Sequence, residues 1–127
     1  MYLLLNLSQT NSIHLGLFDK NELREENYSG QNRELLECVE KFFKRHKFKK
    51  ENLEGIMVVV GAGGFTSTRI VCVIANTFAY VLQIPLLAIK NNEVDKVQSL
   101  IFKLLKQKQG HYLSATYSGE PNIGRKK

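Results

Sequence analysis

Residues 2–7 run almost unbroken through apolar side chains, with Asn6 the one interruption, the pattern of a strand covered on both faces. Residues 8–12 (Ser-Gln-Thr-Asn-Ser) are turn chemistry. Ile13, Leu15 and Leu17 then alternate with His14, Gly16 and Phe18, as in a strand with one better-buried face. Asp19, Lys20 and Asn21 make a tight turn, and residues 22–28 return as a third, more exposed strand.

The period then lengthens. Between residues 32 and 46 the apolar positions Leu35, Leu36, Val39, Phe42 and Phe43 fall three to four apart, which predicts a helix with Asn32 as its N-cap. Residues 56–60 are a β-branched buried strand running into Gly61-Ala62-Gly63-Gly64. From residue 66 to 82 helical spacing resumes, but apolar side chains occupy most of the circumference, so this helix needs cover from the sheet and from something else. Residues 84–89 form another short strand, with Pro85 tolerable at its start. Asn92 is the expected cap of a third helix whose stripe is Val94, Val97, Ile101, Leu104 and Leu105, with Gly110 as its stop. The order βββαβαβα predicts an α/β domain with a mixed five-stranded sheet and flanking helices, the order of the ribonuclease-H-like half of the actin and sugar-kinase ATPase fold.

At 127 residues, 43% hydrophobic and 24% charged, the chain is of single-domain size and globular in composition. No apolar run is long enough for a membrane span or a signal peptide, so no membrane partner and a cytoplasmic location are expected. Cys38 and Cys72 stand far apart on apolar helix faces and read as core residues. The net charge of +6 is uneven: residues 41–50 carry six basic and no acidic side chains, and residues 96–127 carry seven basic against Glu120 alone. Such clustering can attract a polyanion, although the dipole at the end of the first helix accounts for part of it.

The glycine turn between strand and helix has the ingredients of an anion site, but the nucleotide fingerprints fail. The turn lacks the third small residue of the dinucleotide motif, and no acidic residue lies between Gly55 and Asn92 to hold a ribose. No lysine precedes Ser67 or Thr68, as a P-loop requires. The first strand has no carboxylate to hold Mg²⁺. His14, His46 and His111 lie on separate elements without ligand spacing. No catalytic residue, cofactor or metal site is therefore expected.

Residues 61–70, Gly-Ala-Gly-Gly-Phe-Thr-Ser-Thr-Arg-Ile, resemble the glycine-loop signature of the TsaB (YeaZ) family, usually G-P-G-S-F-T-G-x-R-x. Gly61, Gly63, Phe65, Thr66 and Arg69 match it; Ala62, Gly64 and Ser67 depart, and Leu7 stands where the family has a first-strand Asp. The resemblance covers residues 1–105, the family's N-terminal lobe, and residues 117–123 resemble its C-termini. The expected organisation is one lobe over residues 1–110 and a basic extended tail over 111–127, with most of a second lobe missing.

The resemblance implies a non-catalytic subunit of the machinery that makes threonylcarbamoyladenosine in tRNA. Such a subunit pairs through its first two helices with a TsaD-like catalytic subunit, with a TsaE-like ATPase joining, or forms a homodimer through the same helices, and meets tRNA only indirectly. The helices place Leu36, Phe43, Arg69, Val73, Asn76 and Tyr80 as interface candidates, the last four on one stripe. The competing readings are a minimal ribonuclease-H-like protein acting on nucleic acid, or a phosphate binder using the glycine turn.

Overall fold

The computed structural model describes residues 1–9, 11–60 and 65–108, apart from the side chains of Asn32 and of residues 65–68. Strands β1 (Tyr2–Asn6), β2 (Ser12–Phe18), β3 (Leu23–Ser29), β4 (Gly55–Val59) and β5 (Leu86–Ile89) form one sheet in the order β3-β2-β1-β4-β5. β1 is antiparallel to β2 and parallel to β4, and β4 is parallel to β5. This is the mixed five-stranded sheet that the periodicity predicts.

Among the described residues three α-helices cover the sheet: α1 (Leu35–Arg45), α2 (Phe65–Leu82) and the short α3 (Ile101–Leu105). Every residue of β1 is buried, because side chains on both its faces meet helices. Leu3 and Leu5, with Leu15, Ile56 and Val58, pack under α1 and α2 through Leu35, Val39, Phe42, Val71, Cys72 and Ala75. Tyr2, Leu4, Met57 and Ile89 face the other way, under Val97, Ile101 and Leu104. β3, at the sheet edge, is largely exposed, as its charged sequence requires.

The third helix departs from expectation. Residues Asn91–Leu100 wind as 3₁₀ turns, interrupted at Lys96 (φ −114°, ψ 16°), before α3 begins. Val94, Val97 and Leu100 are three residues apart, the repeat of a 3₁₀ helix, so this tighter winding keeps all three against the sheet. Lys90, not Asn92, occupies the N-cap position, and Leu105, expected on the buried stripe, is 54% exposed. Asn32 likewise begins a 3₁₀ turn, Asn32–Glu34, and α1 starts at Leu35 without a side-chain cap.

Two helices end on left-handed residues that are not glycine, Lys47 (φ 54°) and Gln83 (φ 56°). After each, the next amide closes on a carbonyl five residues back, Phe48 N–H to Phe43 O at 2.9 Å and Ile84 N–H to Ala79 O at 3.1 Å. An L side chain is strained in this conformation, so Lys47→Gly and Gln83→Gly should each stabilise the fold by about 0.5–1 kcal/mol, measured as a raised urea midpoint.

At Gly55 α3 lies close against the sheet. A Cβ there would lie 2.7 Å from Leu104 Cδ2 and 3.2 Å from Tyr2 Cδ1, and Leu104 is fully buried. Gly55→Ala should therefore cost about 1–3 kcal/mol by overpacking, read from chemical denaturation, with Leu104→Ala in the same chain giving a sum smaller than the two single losses.

Candidate protein interface

α2 lies on the sheet through Val71, Cys72, Ala75 and Ala79, all buried. Its opposite side is open. Val73 is 63% exposed, Tyr80 65% and Val81 66%, and Arg69 and Thr77 are exposed beside them. These positions recur every three to four residues and so share one face. The Thr77 hydroxyl donates to Val73 O at 2.8 Å, which commits its polar atom to the helix itself. On α1, Leu36 is 46% exposed. Between residues 65 and 82 the only ionisable side chains besides Arg69 are Cys72 and Tyr80, so the open face has little charge to hydrate it.

Of the interface candidates, the structure exposes Leu36, Arg69, Val73 and Tyr80 and half-buries Asn76. Phe43 is a correction. It is 7% exposed, packed edge-on against Phe48 with ring centroids 5.3 Å apart, and belongs to the core. The spacing that suggested an outward Phe43 is the spacing that places it beside Val39 and Phe42, under the sheet. Gly61 and Gly63 lie outside the described residues, as do His111 and the expected tail. Phe65 and Thr66 open α2.

The basic end of α1 is partly used within the fold. Arg45 Nε reaches Glu26 at 3.1 Å and ties α1 to β3, and Lys41 pairs with Glu37 at 3.5 Å. Both cysteines are buried; burial raises the Cys38 thiol and pushes Cys72 up to about 11, so neither is a ready nucleophile.

One polar constellation escapes periodicity. Asn6, Gln9, Ser12, His14 and Asn27 line a cavity of about 280 Å³ where β1, β2 and β3 meet. Asn6 is the buried polar residue at the end of β1. Its amide nitrogen lies 3.1 Å from His14 Nδ1, its oxygen accepts from Ser8 N–H at 3.0 Å, and His14 Nε2 sits 2.6 Å from the Glu25 carboxylate. The pairing Asn6↔His14↔Asn27 is set by sheet register, which an alternation pattern alone does not supply. Among the described residues no three His, Cys, Asp or Glu side chains group as a metal site. Asn6→Ala would leave the Ser8 amide and His14 Nδ1 without their partner. We expect a loss of about 1–3 kcal/mol, with Ser8 amide hydrogen exchange faster than its neighbours'.

The fold and the open helix face define a ribonuclease-H-like α/β domain with a candidate protein-docking surface. The family model described as "TsaD: tRNA N6-adenosine threonylcarbamoyltransferase" matches residues 29–106, and the chain belongs to that family. Its fold is similar to "YeaZ from Pseudomonas aeruginosa", at 20% identity and TM-score 0.66 over 80% of this chain and 50% of that one. A second structure, of an uncharacterised protein with similarity to peptidase YeaZ from Pseudomonas aeruginosa, aligns at 20% identity and TM-score 0.66 over 79% of this chain and 47% of that one. The chain thus spans about half the length of these structures. No curated protein matches it. The TsaB-like expectation is borne out in the fold, through the YeaZ structures, while the family shown is that of TsaD, over residues 29–106. Among the described residues no helix is long and apolar enough to cross a membrane.

Proposed function

We propose that this chain is a non-catalytic docking subunit in tRNA threonylcarbamoyladenosine synthesis, pairing through α1 and α2 with a TsaD-like catalytic subunit. The observation that carries the proposal is the open face of α2, where Val73, Tyr80 and Val81 stand 63–66% exposed on one side of a helix nearly free of charge. Burying an aliphatic or aromatic side chain of this size is worth about 1.5–3 kcal/mol, and contiguous apolar patches of this kind mark interaction sites. Leu36 on α1 is 46% exposed as well.

Two further observations support a scaffold rather than a catalyst. Leu7, at the position of the family's first-strand Asp, is 5% exposed and packs in the core. β1 itself offers Asn6 as its polar group and no carboxylate. A TsaE-like ATPase would join through the catalytic partner, and tRNA would be met through that partner too. The same helices could pair two copies of this chain when the partner is absent.

Light scattering of the chain mixed with a TsaD-like subunit tests the reading. We expect a stoichiometric complex, weakened at least tenfold by Val73→Asp, a surface change that should leave the melting temperature within a few degrees of the parent. A wild-type chain that stays monomeric and ignores the TsaD-like subunit would refute it.

A further inference from the structure

A line of hydrogen bonds crosses the molecule from the β3 edge of the sheet to the start of the 3₁₀ segment. His14 Nε2 on β2 lies 2.6 Å from the Glu25 carboxylate on β3. His14 Nδ1 lies 3.1 Å from the Asn6 amide nitrogen on β1, and Asn6 Oδ1 accepts the Ser8 main-chain N–H at 3.0 Å. The Ser8 hydroxyl in turn donates to Asn91 Oδ1 at 3.0 Å, where the 3₁₀ segment begins.

The line has a direction, and donor chemistry sets it. A main-chain N–H only donates, so the Asn6 oxygen points at Ser8 and its NH₂ group at His14. An amide NH₂ only donates as well, so His14 Nδ1 carries a lone pair. The ring is then neutral, with its single proton on Nε2 against Glu25. Glu25 is the one carboxylate within 4.0 Å of the ring among the described residues, and Gln9, Ser12 and Asn27, which line the cavity beside it, are uncharged.

A further proton has one place to bind on this ring, Nδ1. Solvent reaches it through the cavity of about 280 Å³ that Asn6 and His14 line. Protonated there, the ring presents an N–H to the Asn6 NH₂, donor against donor. A half-turn of the Asn6 carboxamide relieves the conflict by offering Oδ1 to the ring. The same half-turn aims NH₂ at the Ser8 amide and removes that amide's acceptor, so one carboxamide cannot serve both neighbours once His14 is charged. Glu25 keeps its bond throughout, because Nε2 holds a proton in both states. Asn6 is buried at 9% exposure, which limits the access of water to the groups left unpaired.

We infer that Asn6 is a proton-operated switch: uptake of a proton by His14 turns its carboxamide, releases the Ser8 main chain and, through the Ser8 hydroxyl, loosens the tie between the turn after β1 and Asn91. The carboxamide is the bistable element, and its two orientations exchange an oxygen for a nitrogen without repacking the apolar core. None of these residues belongs to α1 or α2, so the switch is independent of the docking face.

Nuclear magnetic resonance of the full chain tests the inference. Ring ¹⁵N shifts of His14 report its charge and tautomer, and the Ser8 main-chain and Asn91 side-chain amide signals report the far end of the line. All are followed from about pH 8 to 5, the range in which imidazoles change charge. We expect the Nε2–H tautomer at the upper end and one midpoint shared by His14, Ser8 and Asn91. Ser8→Ala should keep the main-chain response at position 8 and abolish that of Asn91. Asn6→Ala should abolish both while His14 still titrates, whereas a through-space effect of the ring charge would survive that change. The parent and Ser8→Ala titrations decide the matter by themselves if Asn6→Ala does not fold. An Nδ1–H tautomer at the upper end, a His14 that holds one charge state over the whole range, or Ser8 signals indifferent to its titration would overturn the inference. So would a folded Asn6→Ala chain that keeps the response. Val73→Asp should leave all of these signals unchanged.

Discussion

The complete burial of β1 is the constraint on which the rest of the structure depends. A central strand apolar on both sides must have cover above and below. The cover comes from two helices on one face and from a thinner layer of 3₁₀ turns and α3 on the other. Because Leu3, Leu4 and Leu5 are all sealed, polar groups on this strand can appear only at its end, where Asn6 meets His14 and the cavity between β1, β2 and β3. A carboxylate in the middle of β1 would be desolvated without a partner, at a cost of several kcal/mol. The same burial that stabilises the sheet therefore displaces acidic chemistry from the strand.

Much of this organisation is legible in residue order because strands and helices impose different periods. The two-residue alternation of β2 and the three-to-four spacing of α1 are consequences of backbone geometry, and the structure reproduces both. What periodicity misses has physical reasons as well. Lys47 and Gln83 end their helices in a left-handed conformation that favours glycine, so no residue type announces the stop. The 3₁₀ winding after Lys90 shares its i, i+3 contacts with an α-helix, and a stripe of Val94, Val97 and Ile101 fits either until packing decides.

The candidate sites divide along the same line. A one-dimensional pattern shows that α2 is too apolar for a single neighbour, since that is a property of one helix. It does not show which side faces the sheet, and Phe43 illustrates the error: its spacing permits an outward position, and the space beneath the sheet claims it instead. The Asn6–His14–Glu25 cluster is built by sheet register across three strands, so its members are distant in sequence. No local motif could have assembled it.

Among the described residues, the exposed apolar side chains of α3 and of α2 are not equivalent, and the difference bears on what each surface can do. On α3, Phe102 and Leu105 are 61% and 54% exposed, but lysines interleave with them and Lys106 Nζ stands 5.5 Å from the Phe102 ring centroid. A cation over an aromatic face, with aliphatic stems alongside, keeps such residues compatible with water. On α2 no lysine interleaves with Val73, Tyr80 and Val81, and Thr77 turns its hydroxyl back into the helix. Apolar exposure of similar size is thus differently equipped: α3 carries its own charged cover, and α2 has no lysine of its own to supply one.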